Sequence, residues 1–282
     1  MLHGLVAAIA ATTVWSLNPA IISRFSRDIK PLVFAGLKAL IGSLPLLLFL
    51  RNLHVNWDVG LLVAIISALL GPGLGDALYA QAIRFLGGSL AVVISYTYIF
   101  IATGLSILFL GERGGLTVLT GTVLAFTGVV VGAGLANKRL TLKFRGIMYS
   151  AGAALSWGVG TVLIRVALNY YGFIELTALR FLTVGVVFTL LGLKLEGFST
   201  NPHSRRNLLL ASTLNGLLGL TLGGLLFTYA IQSIGVTATV IATSLTPILS
   251  QWTTKIIAHE KTQLNTIIGA VLVALGIITL YL

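Results

Sequence analysis

Ten apolar runs of about 20 residues, the length that crosses the hydrocarbon core of a bilayer, occupy most of this 282-residue chain. They fall at residues 4–23, 31–50, 59–83, 89–110 and 116–136, then at 146–168, 173–193, 208–233, 237–257 and 263–282. Short polar loops between them hold most of the charge. Only 9% of the residues are charged, against roughly a quarter in a soluble domain, and mean hydropathy is +1.02. A backbone in lipid must satisfy its own hydrogen bonds, and runs of this length do so as helices. The expected fold is an all-α integral membrane protein with ten transmembrane helices and no soluble domain of ordinary size.

The chain also repeats itself. AIRFLGGSLAVVIS from Ala82 aligns with AIQSIGVTATVIAT from Ala230 at an offset of 148, which places Glu112 on Glu260, Gly121 on Gly269 and Gly128 on Gly276. Earlier in the unit the offset is 142, placing Trp15 on Trp157 and Lys38 on Arg180. The difference is six residues inserted in the polar loop around Phe198 to Arg206. Residues 1–140 and 141–282 therefore read as two copies of one five-helix unit. Five is odd, so the second copy enters the membrane from the opposite side. The result is two inverted five-helix repeats, an architecture of secondary transporters that puts the binding site near the midplane.

Orientation follows from the loops. Thirteen Lys and Arg, Arg24, Lys30, Arg84 and Lys255 among them, fall on one side, and Arg51, Arg113 and Arg165 on the other. Positive charge stays in the cytoplasm, which places both termini outside. The net charge of +11 belongs to these loops, facing anionic lipid, and implies no nucleic-acid partner. The first run has no basic segment before it and recurs at Gly146, so a cleaved signal peptide is not expected. With no cysteine, disulfides, Fe–S clusters and thiol catalysis are excluded. His3, His54, His203 and His259 lack metal-ligand spacing, and no G-x-x-x-x-G-K-[ST] pattern occurs. No cofactor, metal or enzymatic activity is expected.

Polar groups inside a membrane are costly and mark function. Lys38 and Arg180 each lie about eight residues into a run, roughly 12 Å deep, at equivalent repeat positions. Each either caps carbonyls or pairs with a nearby acid, or else meets a substrate carboxylate or phosphate. Asp76 is the one acid well inside a run. It follows Gly71-Pro72-Gly73 and Gly75, so its helix cannot be regular. It can pair with Lys38, couple a proton or bind a substrate ammonium, and its repeat counterpart is Gly224. Trp15, Asn18, Tyr79, Gln81, Tyr96, Tyr98, Trp157, Tyr229 and Gln232 are expected to point inward. Thr246-Pro247 is a natural kink in the ninth run; the fourth run has Tyr98-Ile99 there, without proline. Glu112 and Glu260, each at the C-terminal end of a run where an acid opposes the helix dipole, are expected to cap or pair across the turn into the next helix. Gly121, Gly128 and Gly132, with Gly269 and Gly276, allow close helix packing, within a monomer or across a homodimer.

These features together resemble the EamA-type, ten-helix members of the drug/metabolite transporter superfamily. The similarity is carried by Val14-Trp15-Ser16-Leu17-Asn18, Ser156-Trp157-Gly158, Ala178-Leu179-Arg180-Phe181, Gly111-Glu112-Arg113, Glu260-Lys261 and the paired glycines. Ser16 departs from a usual Gly, Lys38 from a usual Arg, and the fourth run from a usual proline. The resemblance implies alternating-access transport of small metabolites across the cytoplasmic membrane, often amino-acid export, through a cavity built from helices 1–4 and 6–9. Members are usually drawn with cytoplasmic termini, whereas the charge count here places them outside. The resulting expectation is an amino-acid exporter with proton coupling. Lys38 or Arg180 would meet the carboxylate, Asp76 the ammonium or a proton, and the aromatics would line the cavity. The alternatives are efflux of hydrophobic cations and transport of sugar-phosphate-type metabolites.

Overall fold

The computed structural model describes residues 2–52, 58–112, 115–133, 140–261 and 264–279. The outer ends of the fifth and tenth predicted runs, with His54, Arg113, Lys138 and Arg139, lie outside the described residues. The described chain is helical and contains no strand. In order the helices are α1 (Leu2–Arg24), α2 (Pro31–Leu50), α3 (Val59–Leu86), α4 (Gly88–Leu110), α5 (Leu116–Ala133) and α6 (Leu140–Ala167). Then come α7 (Phe173–Leu195) and α8 (Pro202–Ile234). Val236–Ala242 and Thr246–Ile257 are joined by the 3₁₀ turn Thr243–Leu245 and together form α9. The last is α10 (Leu264–Ile278). Seven of them, α1–α4 and α6–α8, are long and apolar enough to cross a membrane, where the sequence reading counts ten. Exposed apolar side chains such as Leu48, Phe109 and Trp252 cover the outside, while Phe34, Phe181, Leu176 and Ile231 are buried.

Several helices are broken, and each break has a local cause. In α3 the expected irregularity is a π-helical stretch, Leu69–Gly75, around Pro72. Its counterpart in α8, Asn215–Gly224, is also π-helical but contains no proline; Gly216, Gly219, Gly223 and Gly224 weaken the helix instead. In α1 the chain turns at Ser16-Leu17, and Pro19 opens the next helical segment. The Ser16 carbonyl left free accepts from Ser250 Oγ at 3.3 Å and Thr253 Oγ1 at 2.5 Å. Helix α4 breaks before Tyr98 despite lacking a proline. There Thr97 Oγ1 donates to the Ile94 carbonyl at 2.7 Å, a local bond that competes with helix propagation.

Repeat-equivalent helices pack on each other: α2 lies along α7 and α5 along α10. A Cβ on Gly128 would stand 2.7 Å from the Gly269 carbonyl oxygen, so the glycine stripe serves packing inside the chain. The α2–α7 contact is tighter still. A Cβ on Gly36 would lie 2.2 Å from the Thr189 backbone nitrogen. Backbone cannot yield there, so Gly36→Ala should cost about 1–3 kcal/mol by overpacking. Thermal unfolding in detergent reads this directly, and an unchanged transition would mean that the two helices stand farther apart.

The acids at the helix ends do not cap within their own repeat. Glu112 accepts from Val236 N and Thr237 N, both at 3.0 Å, at the start of α9. Glu260 accepts from Gly88 N at 2.6 Å and Ser89 N at 3.0 Å, at the start of α4, and from the Ser23 hydroxyl. Each carboxylate thus faces the positive end of a helix in the other repeat, which removes the conflict with its own helix dipole. The caps expected across the turn into the next helix are instead made to helices of the opposite repeat, and Glu112 also accepts from Ser106 Oγ of its own helix at 3.3 Å. Loops join the repeats as well. Asp28 accepts from Asn207 Nδ2 and Ser204 Oγ, both at 2.7 Å, and the Asn207 and Ser204 hydrogen bonds hold its carboxyl below the usual range.

Candidate functional site

The π-helical stretches of α3 and α8 both line one cavity of about 120 Å³, room for several waters. Its walls come from α1–α4 and α6–α8. The break in α3 sets the polar side of it. Asp76 follows the π-helical stretch and is buried. Its Oδ2 lies 2.5 Å from Lys38 Nζ, and its Oδ1 accepts from Trp157 Nε1 at 2.8 Å. Lys38, Asp76 and Arg180 are 5%, 9% and 4% exposed, so three ionised groups share one buried region. Of the two sequence alternatives for Lys38, pairing with an acid is the one seen.

Arg180 is held differently. Its Nε donates to Ser67 Oγ at 2.9 Å and its Nη2 to the Ser67 carbonyl at 3.2 Å. Ser67 stands five residues before Pro72, which has no N–H to give that carbonyl a π-type bond. The same break that carries Asp76 therefore presents an acceptor to the guanidinium. Gly71 leaves the place open, because a Cβ there would stand 3.0 Å from Nη2.

The two tryptophans show the repeat at work. Trp157 lies against Gly75, whose Cβ would come within 2.4 Å of its ring. Trp15 lies against Gly223, the repeat counterpart of Gly75, whose Cβ would come within 2.5 Å. Trp15 Nε1 donates to the Gly219 carbonyl at 2.8 Å, inside the π-helical stretch of α8. Each tryptophan thus occupies space at the break of the other repeat. Around Trp157 stand Tyr79, Tyr98 and Tyr96, with ring centroids at 5.0, 6.0 and 6.4 Å. Phe227 sits 4.8 Å from Trp15. The Tyr98 hydroxyl meets Thr243 Oγ1 at 3.1 Å. The Tyr79 hydroxyl and Asn18 Oδ1 have no partner among the described residues.

Nine residues expected to point inward, namely Trp15, Asn18, Lys38, Asp76, Tyr79, Tyr96, Tyr98, Trp157 and Arg180, line this cavity. Three do not. Gln81 lies outside it and accepts from Arg84; Tyr229 packs on Phe173 with centroids 5.1 Å apart; Gln232 is exposed. In α3, Tyr79 and Gln81 differ by two positions, which turns them to different helix faces. Ile22, Thr161, Ile164, Phe181, Leu220 and Phe227 are among the further residues in the walls, and Ser67 anchors Arg180; none of them is marked by the sequence.

Comparison with known proteins agrees with this architecture. The profile of the EamA-like transporter family matches the chain twice, over residues 2–132 and 144–282. The chain is 28% identical over 277 residues to the uncharacterized transporter YvbV of Bacillus subtilis (strain 168), covering 94% of this chain and 87% of that protein. It is 24% identical over 284 residues to the uncharacterized transporter YoaV of the same organism, covering 98% and 96%. A solved structure titled only as the crystal structure of a protein superposes with a TM-score of 0.73 at 17% identity. It covers 99% of this chain and 98% of its own, and at that identity the likeness concerns the fold.

Proposed function

Because the chain belongs to the EamA-like transporter family, a family of membrane transporters, we propose that it is a secondary transporter exporting amino acids across the cytoplasmic membrane by alternating access. In this proposal all ten helices cross the bilayer as two inverted repeats, residues 1–140 and 141–282, with both termini outside on the Lys/Arg count. The observation that carries it is the placement of Lys38, Asp76 and Arg180, all buried, around one cavity that both repeats line. Buried charge in a membrane chain serves a substrate or ion path, and the apolar and aromatic walls suit a small metabolite.

The caps support a cycle. Glu260 binds the start of α4 and Glu112 the start of α9, so the two contacts lie at opposite ends of the α4–α9 pair. Releasing one while keeping the other would open the cavity toward one side at a time. Asp76 is the proposed proton site, because its protonation would release Lys38.

The test is uptake by liposomes containing purified protein, with labelled amino acids, with and without a pH gradient. Saturable, gradient-dependent uptake of one amino-acid class is expected, with the gradient dependence absent in Asp76→Asn. Absence of uptake for every amino acid would overturn the amino-acid assignment, and unchanged coupling in Asp76→Asn would overturn the proton role. Hydrophobic-cation efflux is disfavoured by the two cations facing the cavity.

A further inference from the structure

We infer that Arg180 is the substrate receptor of this cavity, that it takes a single carboxylate, and that the ammonium of an amino acid is dispensable for binding. This rests on the proposal that the cavity is the transport site and narrows what it accepts.

Charge sets the argument. Lys38 and Asp76 neutralise each other at 2.5 Å, and that is the ion pair among the described residues. Both Asp76 oxygens are engaged, Oδ2 by Lys38 and Oδ1 by Trp157. Arg180 has neutral partners, the hydroxyl and carbonyl of Ser67. A guanidinium keeps its charge at neutral pH. The three groups therefore sum to one positive charge at a buried site, and a buried charge without a counter-charge is costly. An anion entering the cavity supplies that counter-charge.

The repeat explains why no second acid of the protein does so. Asp76 is near enough to attract Arg180 but already pairs with Lys38, and its repeat counterpart is Gly224. A Cβ at Gly224 would stand 2.6 Å from Phe181 Cζ, so Phe181 fills the space an acid would need. The second half keeps the cation and lacks its partner. Two further residues stand in the same wall. Gly71 lies against the guanidinium, where a Cβ would stand 3.0 Å from Nη2. Tyr79, 5% exposed, also lines the cavity, and its buried hydroxyl has no partner among the described residues.

An ammonium meets no free charge: the unpartnered acceptor in the wall, Asn18 Oδ1, is neutral, and the Asp76 carboxylate, although it can accept further donors, already has its charge matched by Lys38. The binding step therefore selects for the carboxylate, with Arg180 giving a planar fork that Lys cannot reproduce. Asp76 and Lys38 keep each other neutral beside it.

The experiment titrates detergent-purified full-length protein with four probes sharing one carbon skeleton, following intrinsic tryptophan fluorescence, to which Trp157 and Trp15 in the cavity wall contribute two of the four tryptophans. The probes are 4-methylpentanoate (carboxylate alone), leucine (both groups), leucinamide (ammonium alone) and 4-methylpentanamide (neither). Both carboxylates are expected to bind with affinities within a few-fold of each other, and both amides about 30-fold or more weaker. Arg180→Gln should weaken the carboxylates by a similar factor and leave the amides unchanged, with Arg180→Lys between. Thermal unfolding reports whether the variants are folded, and the wild-type series decides the matter without them. Leucinamide binding as well as leucine, or neither carboxylate binding, would overturn the proposal. Efflux of labelled leucine from proteoliposomes separates the two claims. Carboxylate-selective binding without movement removes the transport assignment and keeps the receptor. Movement without carboxylate preference does the opposite.

Discussion

Replacing Asp76 by Asn should destabilise the chain by about 3–5 kcal/mol, and adding Lys38→Met should return most of that loss. The asymmetry follows from what each variant leaves behind. In the native chain the Lys38 and Asp76 side chains, 6% and 12% exposed, meet at 2.5 Å, and Trp157 donates to the second carboxylate oxygen. Asparagine keeps a carbonyl for Trp157 and removes the charge. Lys38 is then a buried cation without a partner, a few side chains from the equally buried Arg180. Removing Lys38 as well takes away the stranded charge, and methionine fills the stem's volume. The double variant should therefore be more stable than the sum of the single effects allows, with a coupling energy of up to about 3 kcal/mol. Thermal unfolding of the four proteins in one detergent measures it. If Asp76→Asn unfolds within about 1 kcal/mol of the parent, or if the two effects simply add, the pair does not hold the site together. The same cycle bears on transport, because Asn imitates a protonated Asp76: a proton that drives the cycle would have to overcome this coupling each time it binds.

Much of this site was legible in the sequence, for a reason special to membrane chains. A Lys, Asp or Arg inside an apolar run is rare enough to stand out, and Lys38, Asp76 and Arg180 do line one cavity. Trp15, Trp157 and the three tyrosines stood out in the same way. Phe181, Leu220 and Phe227 did not, since an apolar residue in an apolar run carries no signal of which side it faces. Ser67 was passed over because a serine in a helix can bond its own backbone, as this one also does to Ala64; only the fold brings Arg180 to it. Gln81 and Tyr229 failed for a geometric reason. Both were polar enough to be noticed, but helix rotation turns them away from the cavity. The break in α3 was announced by Pro72, whereas the one in α8 rests on scattered glycines. The duplication could have supplied it, since the π-helical stretches Leu69–Gly75 and Asn215–Gly224 overlap at the offset of 148 residues. Where the halves differ, at Asp76 and Gly224, sequence marked the asymmetry and structure explained it through Phe181.

Glu260→Gln and Glu112→Gln should bias the protein in opposite directions. Each carboxylate accepts two backbone N–H groups at the first turn of a helix in the other repeat. Gly87 and Gly235 stand just before those turns at φ 78° and 82°. A Cβ on either would come within 3.1 Å of the carboxylate, so glycine is required for both backbone and approach. Hydrogen bonds to a charged acceptor are worth about 1.5–3 kcal/mol each, and Gln keeps an oxygen while losing the charge and one of the two bonds. The expected loss is about 2 kcal/mol at one end of the α4–α9 pair, with the other end untouched. For a protein poised between two states, that shifts their ratio by about 30-fold. The chain has no cysteine, so single cysteines can report the shift without background. Ile22, one residue before the Ser23 that bonds Glu260, and Ile164, near the end of α6 at Ala167, both line the cavity. Glu260→Gln should raise the labelling rate of Ile22→Cys by a polar thiol reagent and lower that of Ile164→Cys, and Glu112→Gln should do the reverse. If both variants raise both rates, the caps only hold the helices together. If the rates move in opposition, the two carboxylates are the latches of an alternating cavity, and the duplication that placed them is what makes the two sides of the membrane equivalent.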